Sequence, residues 1–331
     1  MRRWVHVLTV LGAVAALLPG GGALAAAGQA ITPGARTGQV QLDGRADAVV
    51  VNDDRVTVRR SNGVLFTGNE SWTTSSYFGT RGTFFADVTG DGRADAVVVN
   101  DDRVTVRRSN GVLFTGNESW TTNSYFGTRG TFFADVTGDG RADAVVVNDD
   151  RVTVRRSNGV LFTGNESWTT NSYFGTRGTF FADVTGDGRA DAVVVNDDRV
   201  TVRRSNGVLF TGNESWTTNS YFGTRGTFFA DVTGDGRADA VVVNDDRVTV
   251  RRSNGVLFTG NESWTTNSYF GTRGTFFADV TGDGRADAVA VNDDRVTVRR
   301  SNGVLFTGNE SWTTNSYFGT RGTFFADVTG D

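Results

Sequence analysis

Residues 85–99 read FADVTGDGRADAVVV, and the same stretch returns every 48 residues through most of the chain. It opens on an apolar pair, passes through an acidic, glycine-bearing turn and ends on a run of valines. Strand, tight turn, strand is the natural reading. The turn spans nine residues, Asp87 to Asp95, in the pattern D-x-T-G-D-G-x-x-D. Asp87, Asp91 and Asp95 stand at positions 1, 5 and 9, Thr89 at 3 and Gly92 at the bend. A turn needs one Asx residue and one glycine. Three carboxylates on one tight loop repel each other unless a cation lies among them.

That order of oxygens matches the front of an EF-hand calcium loop: side chains at 1, 3 and 5, a glycine at 6 and a backbone carbonyl at 7, here Arg93. The twelfth-position glutamate is replaced by Val98, so the expected affinity is modest, about 10⁻⁴–10⁻³ M. Calcium suits the irregular oxygen shell better than magnesium. Five complete loops give five expected sites. They are Asp87, Thr89, Asp91, Arg93 and Asp95; Asp135, Thr137, Asp139, Arg141 and Asp143; and Asp183, Thr185, Asp187, Arg189 and Asp191. The fourth and fifth are Asp231, Thr233, Asp235, Arg237 and Asp239; and Asp279, Thr281, Asp283, Arg285 and Asp287. Two half-loops remain. Gln39 and Gln41 replace the first two ligands before Asp43 and Asp47, and the chain ends on Asp327, Thr329 and Asp331. If the two halves meet, they build a sixth, split site.

Six units run from 43–90 to 283–330 and differ at two positions only, Ser75 for Asn and Ala290 for Val. Each holds four strand-like runs. In the clearest copy these are Thr83–Val88, Ala94–Val99, Arg103–Arg108, and Val112–Thr115 continuing towards Trp120. An Asn-Asp-Asp turn follows the second run and Ser-Asn-Gly follows the third. Four short antiparallel strands at this period mark an all-β propeller of four-stranded blades. Phe66, Phe84, Phe85 and the valines are the expected core between blades. The last unit ends on a first strand, Thr323–Val328, which has no blade of its own. Pairing with Ala46–Val51 would close six blades; a larger ring of seven, or an open fragment, is the alternative.

At the N-terminus, Arg2 and Arg3, the apolar run Val5–Leu18 and Ala23-Leu24-Ala25 form a secretory leader. Domains are therefore expected at 1–25 (signal peptide, cleaved near Ala25), 26–42 (lead-in with a degenerate first strand) and 43–331 (repeats). The expected destination is extracellular, by the general rather than the twin-arginine route. Beyond the leader there is no His, Cys, Met or Lys. That composition excludes Ser-His-Asp and Cys-His catalysis, His- or Cys-bound zinc, lysine Schiff bases and disulfides. Bound metal is then the available cross-link. Charge is −4 overall, −6 without Arg2 and Arg3, and +4 if five calcium ions bind. No basic excess invites nucleic acid, and no apolar run invites membrane insertion.

FADVTGDGRADAVVV resembles the FG-GAP or VCBS repeat, known from the propeller of integrin α subunits, from propeller lectins and from secreted bacterial proteins. The resemblance covers 43–331. It implies calcium between the first and second strands of each blade, on the loop positions named above. Phe78-Gly79 matches the FG dipeptide in part, and Gly-Ala-Pro is missing.

Chain direction places the acidic loops and Asn-Gly hairpins on one face of the ring. On the other lie the Asn-Asp-Asp turn and the segment after Trp72. Asp54, Trp72, Tyr77 and Arg81, with their equivalents 48 residues apart, are the candidate ligand contacts on that second face: flat rings beside hydrogen-bonding groups suit a sugar. The same aromatics would equally seal the gap between blades, the commoner use of a tryptophan repeated once per blade. The expected function is a non-catalytic, monomeric binding module for a polyvalent carbohydrate. A module adhering to a cell-surface protein, or a glycoside hydrolase using Glu70, are the alternatives.

Overall fold

A strand buried on both faces reads as unbroken apolar sequence, and a half-exposed one alternates. Both kinds occur in every blade. The structure, a computed structural model, describes residues 44–331; the leader, the degenerate strand and Asp43 lie outside them. Among the described residues twenty-four strands form six four-stranded antiparallel sheets. The first blade holds β1 (Asp47–Val51), β2 (Val56–Ser61) and β3 (Phe66–Ser71). The second is β4 (Gly82–Ala86), β5 (Asp95–Val99), β6 (Val104–Ser109) and β7 (Phe114–Ser119). The third is β8–β11 (Gly130–Ala134, Asp143–Val147, Val152–Ser157, Phe162–Ser167). The fourth is β12–β15 (Gly178–Ala182, Asp191–Val195, Val200–Ser205, Phe210–Ser215). The fifth is β16–β19 (Gly226–Ala230, Asp239–Val243, Val248–Ser253, Phe258–Ser263). The sixth is β20–β23 (Gly274–Ala278, Asp287–Val291, Val296–Ser301, Phe306–Ser311). β24 (Gly322–Ala326) completes the first blade, in the order β24-β1-β2-β3.

Closure follows the expected route. β24 pairs antiparallel with β1, from Asp47↔Ala326 to Val51↔Gly322. The first strands of neighbouring blades touch around the whole ring, β24 against β4 and β20 included. In the second blade β5 (DAVVV) is buried throughout, whereas β7 (FTGNES) buries only Phe114. β7 is thus the outer edge, blunted by polar side chains and by the Arg108–Glu118 ion pair at 2.9 Å. β6 carries a bulge: its register against β7 shifts between Val106 and Arg108, leaving Arg107 at the irregularity.

Six hydrophobic clusters fill the seams between blades. One joins Val49, Val51, Val56 and Val58 of the first blade to Phe85, Ala96, Val98 and Phe114 of the second. Trp72 lies in it at 1% exposure, edge-on to Phe114 with ring centroids 5.0 Å apart. Its carbonyl accepts the Phe114 N–H at 3.1 Å, a bond from blade to blade. Phe84 packs at the margin of the corresponding cluster around Trp120. Trp168→Ala should therefore cost about 3–5 kcal/mol, read as a fall in melting temperature without loss of sheet signal in circular dichroism. No helix among the described residues is long and apolar enough to cross a membrane.

Candidate metal centre and the opposite face

Each acidic loop is wound around its first carboxylate. In the second blade the chain leaves β4 at Ala86, and Asp87 Oδ1 accepts the N–H of Gly90 at 2.6 Å and of Asp91 at 3.3 Å. Asp87 Oδ2 accepts the N–H of Gly92 at 2.8 Å. Closing so tightly around one side chain requires left-handed backbone at Gly90 (φ 82°) and Gly92 (φ 86°). A Cβ on Gly90 would also lie 2.8 Å from Cγ of Arg141 in the next blade. Asp95, the first residue of β5, is fully buried. Its Oδ1 accepts the Ser109 N–H at 2.8 Å, and its Oδ2 accepts those of Val88 and Thr89, both at 3.2 Å. Thr89 Oγ1 donates to Asp87 at 3.4 Å. In the next loop Thr137 Oγ1 also reaches Asp143, at 3.1 Å.

The structure thus brings together positions 1, 3 and 9 of each loop. Position 5 is engaged within its own loop: Asp91 receives the Arg93 guanidinium at 2.5 Å and the Arg93 N–H at 3.0 Å. Sequence reading used only the carbonyl of Arg93 and missed this ion pair, whose signal was a cation two residues from an acid. Among the described residues no three acidic groups stand ready as a metal cage.

The donor chemistry nonetheless fits a hard cation. The set is all oxygen, and Asp95 is a buried carboxylate with no cationic side chain bonded to it. Burial pushes its carboxyl up to about 7, the Ser109 N–H lowers it, and Asp91 and Asp87 raise it further. Asp143, Asp191, Asp239 and Asp287 are likewise pushed up to about 7, by burial first. Burial also raises Asp87, Asp135, Asp183, Asp231 and Asp279.

Asp43 lies outside the described residues, and the rest of its half-loop meets the C-terminal half. Asp47 accepts the Val328 N–H at 3.3 Å and the Thr329 hydroxyl at 3.0 Å. Asp327 accepts the Gly330 N–H at 2.6 Å, and Arg45 stands 3.8 Å from Asp331. Successive loops are also tied to one another. The Ala142 N–H donates to the Asp87 carbonyl at 2.7 Å, Ala94 to Asp327 at 2.6 Å and Ala46 to Asp279 at 2.7 Å. Equivalent bonds at Ala190, Ala238 and Ala286 complete a circle of loops.

On the opposite face the candidate contacts divide. Trp72 and Tyr77 are 1% and 6% exposed, so their rings seal the blade seam and present no face to a ligand. Tyr77 Oη bonds Thr105 Oγ1 at 3.2 Å. Asp54 and Arg81 are exposed. Asp54 pairs with Arg55 at 2.8 Å. Arg81 pairs with Asp101 at 2.6 Å, and its guanidinium lies 4.3 Å over Phe126, which belongs to the next seam. Glu70 holds Arg60 at 3.1 Å and accepts from Trp72 Nε1 at 3.3 Å.

Comparison with known proteins bears on the fold and the repeat. No curated protein matches the sequence. An Agrocybe aegerita lectin, solved for its recognition of non-reducing terminal N-acetylglucosamine, is similar in structure with a TM-score of 0.63 and 21% identity. That similarity covers 88% of this chain and 97% of the lectin. The Photorhabdus luminescens Tc holotoxin pore is similar with a TM-score of 0.54 and 17% identity, over 78% of this chain and 13% of that one. The FG-GAP-like repeat family matches at residues 40–98, 87–146, 135–194, 183–242 and 231–290. Matches that overlap from unit to unit, on a ring of four-stranded blades joined at their acidic loops, make this chain a member of the FG-GAP-like repeat family.

Proposed function

We propose that the protein is a secreted, calcium-stabilised propeller that acts as a non-catalytic binding module for carbohydrate. The observation that carries this reading is repetition. Six blades present the same exposed groups around one ring, with no blade set apart by a catalytic side chain. Such a surface gives weak sites large avidity when the ligand is itself polyvalent. The lectin's likeness in architecture is consistent with this use. A glycosidase built on Glu70 would need that carboxylic acid held high enough to donate a proton. Glu70 and its equivalents are instead ion-paired to arginine, and Arg156 holds Glu166 below the usual range.

Since Trp72 is buried, the exposed Asp54 and Arg81 sets are the residues to alter. A glycan array with the calcium-loaded protein should show binding that falls when Arg81 and its equivalents become Ala. Absence of any bound glycan with a well-folded protein would turn the reading to adhesion between proteins.

A further inference from the structure

Each 48-residue unit carries five arginines, and four have a carboxylate partner. In the second blade and its lead-in, Arg81 meets Asp101 at 2.6 Å, Arg93 meets Asp91 at 2.5 Å, Arg103 meets Asp102 at 2.8 Å and Arg108 meets Glu118 at 2.9 Å. The fifth, Arg107, has none. Its Nε is buried without a hydrogen-bond acceptor, and the same holds for Arg59, Arg155, Arg203, Arg251 and Arg299. Each is half-buried at the bulge of its blade's third strand.

Its one visible restraint is an aromatic ring. Arg107 lies 4.5 Å over Tyr77, and the other five lie 4.3–4.7 Å over their tyrosines. The contact sets the guanidinium carbon against the ring. The five N–H donors lie in the guanidinium plane, at the edge, and the ring satisfies none of them. Nε is closed to solvent, so an incoming group would meet the terminal N–H donors, and a guanidinium with no carboxylate on those donors is suited to a planar or tetrahedral oxyanion.

At the seam between the fifth and sixth blades a cleft of about 230 Å³ is walled by Tyr269, Phe270, Ala290, Asn292 and Thr297 among others, and Arg299 is not one of its walls. Ala290 replaces the valine of every other blade. In this blade Tyr269 Oη also reaches the Ala288 carbonyl at 3.3 Å.

We propose that Arg59, Arg107, Arg155, Arg203, Arg251 and Arg299 form six equivalent oxyanion subsites, so that the glycan bound by the propeller is an acidic one bearing carboxylate or sulfate groups at repeated positions. The proposal rests on the carbohydrate-binding reading above and narrows it. A net charge of −4 hides this pattern, because the acids without an arginine partner, Asp87 and Asp95 and their equivalents, sit in the loops, and the arginines without a carboxylate sit over the seam tyrosines.

The test is retention of the calcium-loaded protein on immobilised chondroitin sulfate, polygalacturonate and neutral dextran. The wild type should bind at least one acidic polymer at least tenfold more tightly than dextran, and lose that preference in high salt. Replacing all six arginines by Lys keeps charge and stem but removes the fork, and should weaken acidic binding at least tenfold at unchanged melting temperature. If that variant does not fold, competition on the wild type at constant ionic strength, against chloride, decides: free sulfate displacing the protein identifies a sulfate ester, free glucuronate a carboxylate, and displacement by neither beyond chloride overturns the proposal. Equal retention of acidic and neutral polymers overturns it while leaving carbohydrate binding intact. No retention on any polymer or glycan array overturns both.

Discussion

At pH 8 the protein in about 10 mM calcium should melt at least ~10 °C above the protein in EDTA. Each site binding only the folded chain adds RT ln(1 + [L]/Kd), about 2.7 kcal/mol at one hundred times Kd. With Kd at about 10⁻⁴–10⁻³ M, five loops together supply roughly 7–14 kcal/mol, and the circle of loop-to-loop hydrogen bonds spreads that gain over all blades. Protons compete for the same oxygens. In the metal-free protein Asp95 and its equivalents sit at about 7, against about 3.9 in an unfolded chain. The folded state therefore binds more protons across that window. The resulting stabilisation is complete below the unfolded value, declines as pH rises and is gone above the folded value. Metal-free melting should fall from pH 5 to pH 8, and the gain from calcium should grow over the same range. Calorimetry at both pH values, with and without EDTA, measures it. Identical melting in calcium and EDTA at pH 8 would remove calcium from the account.

Deleting residues 323–331 should be equally severe. β24 pairs with β1 along its whole length and brings Phe324, Phe325 and Val328 into the seams, at 7%, 4% and 0% exposure. Burying such side chains is worth about 1.5–3 kcal/mol each. Without them Asp47 loses Val328 and Thr329, and β1 becomes a bare edge that templates pairing. The truncated chain should elute as concentration-dependent oligomers and melt well below the full chain. A monomer with unchanged melting, by light scattering and calorimetry, would show that the tail does not close the ring.

How much of this was legible in the sequence depends on which residues carried a period. The blade, its 48-residue repeat and strand bounds within about two residues followed from valine runs and turn residues, because those patterns follow directly from burial and pleat. Trp72 and Tyr77 lie beyond the end of β3, in a segment with no alternation, so sequence left both a packing and a ligand role open; only the seam geometry decides for packing. The acidic loop was recognisable from spacing alone, but spacing could not show that Asp91 turns to Arg93. Arg107 and Arg108 are adjacent and chemically identical. The bulge sends one to Glu118 and the other onto Tyr77, and no linear pattern separates them.

The closing strand has a rival in every blade. Thr323–Val328 repeats residue for residue the segments at 83–88, 131–136, 179–184, 227–232 and 275–280, so nothing in its side chains tells β1 which of them to accept. The others are distinguished by tethering: each is joined to its own second strand through a short acidic loop, which gives that pairing a high effective concentration. β1 and β24 lack such a link and find one another across the folded ring. Correct assembly is therefore a contest between one molecule's own tail and the identical tail of its neighbour. Dilution during refolding favours the first, and crowding favours interlocked chains that exchange their final strands.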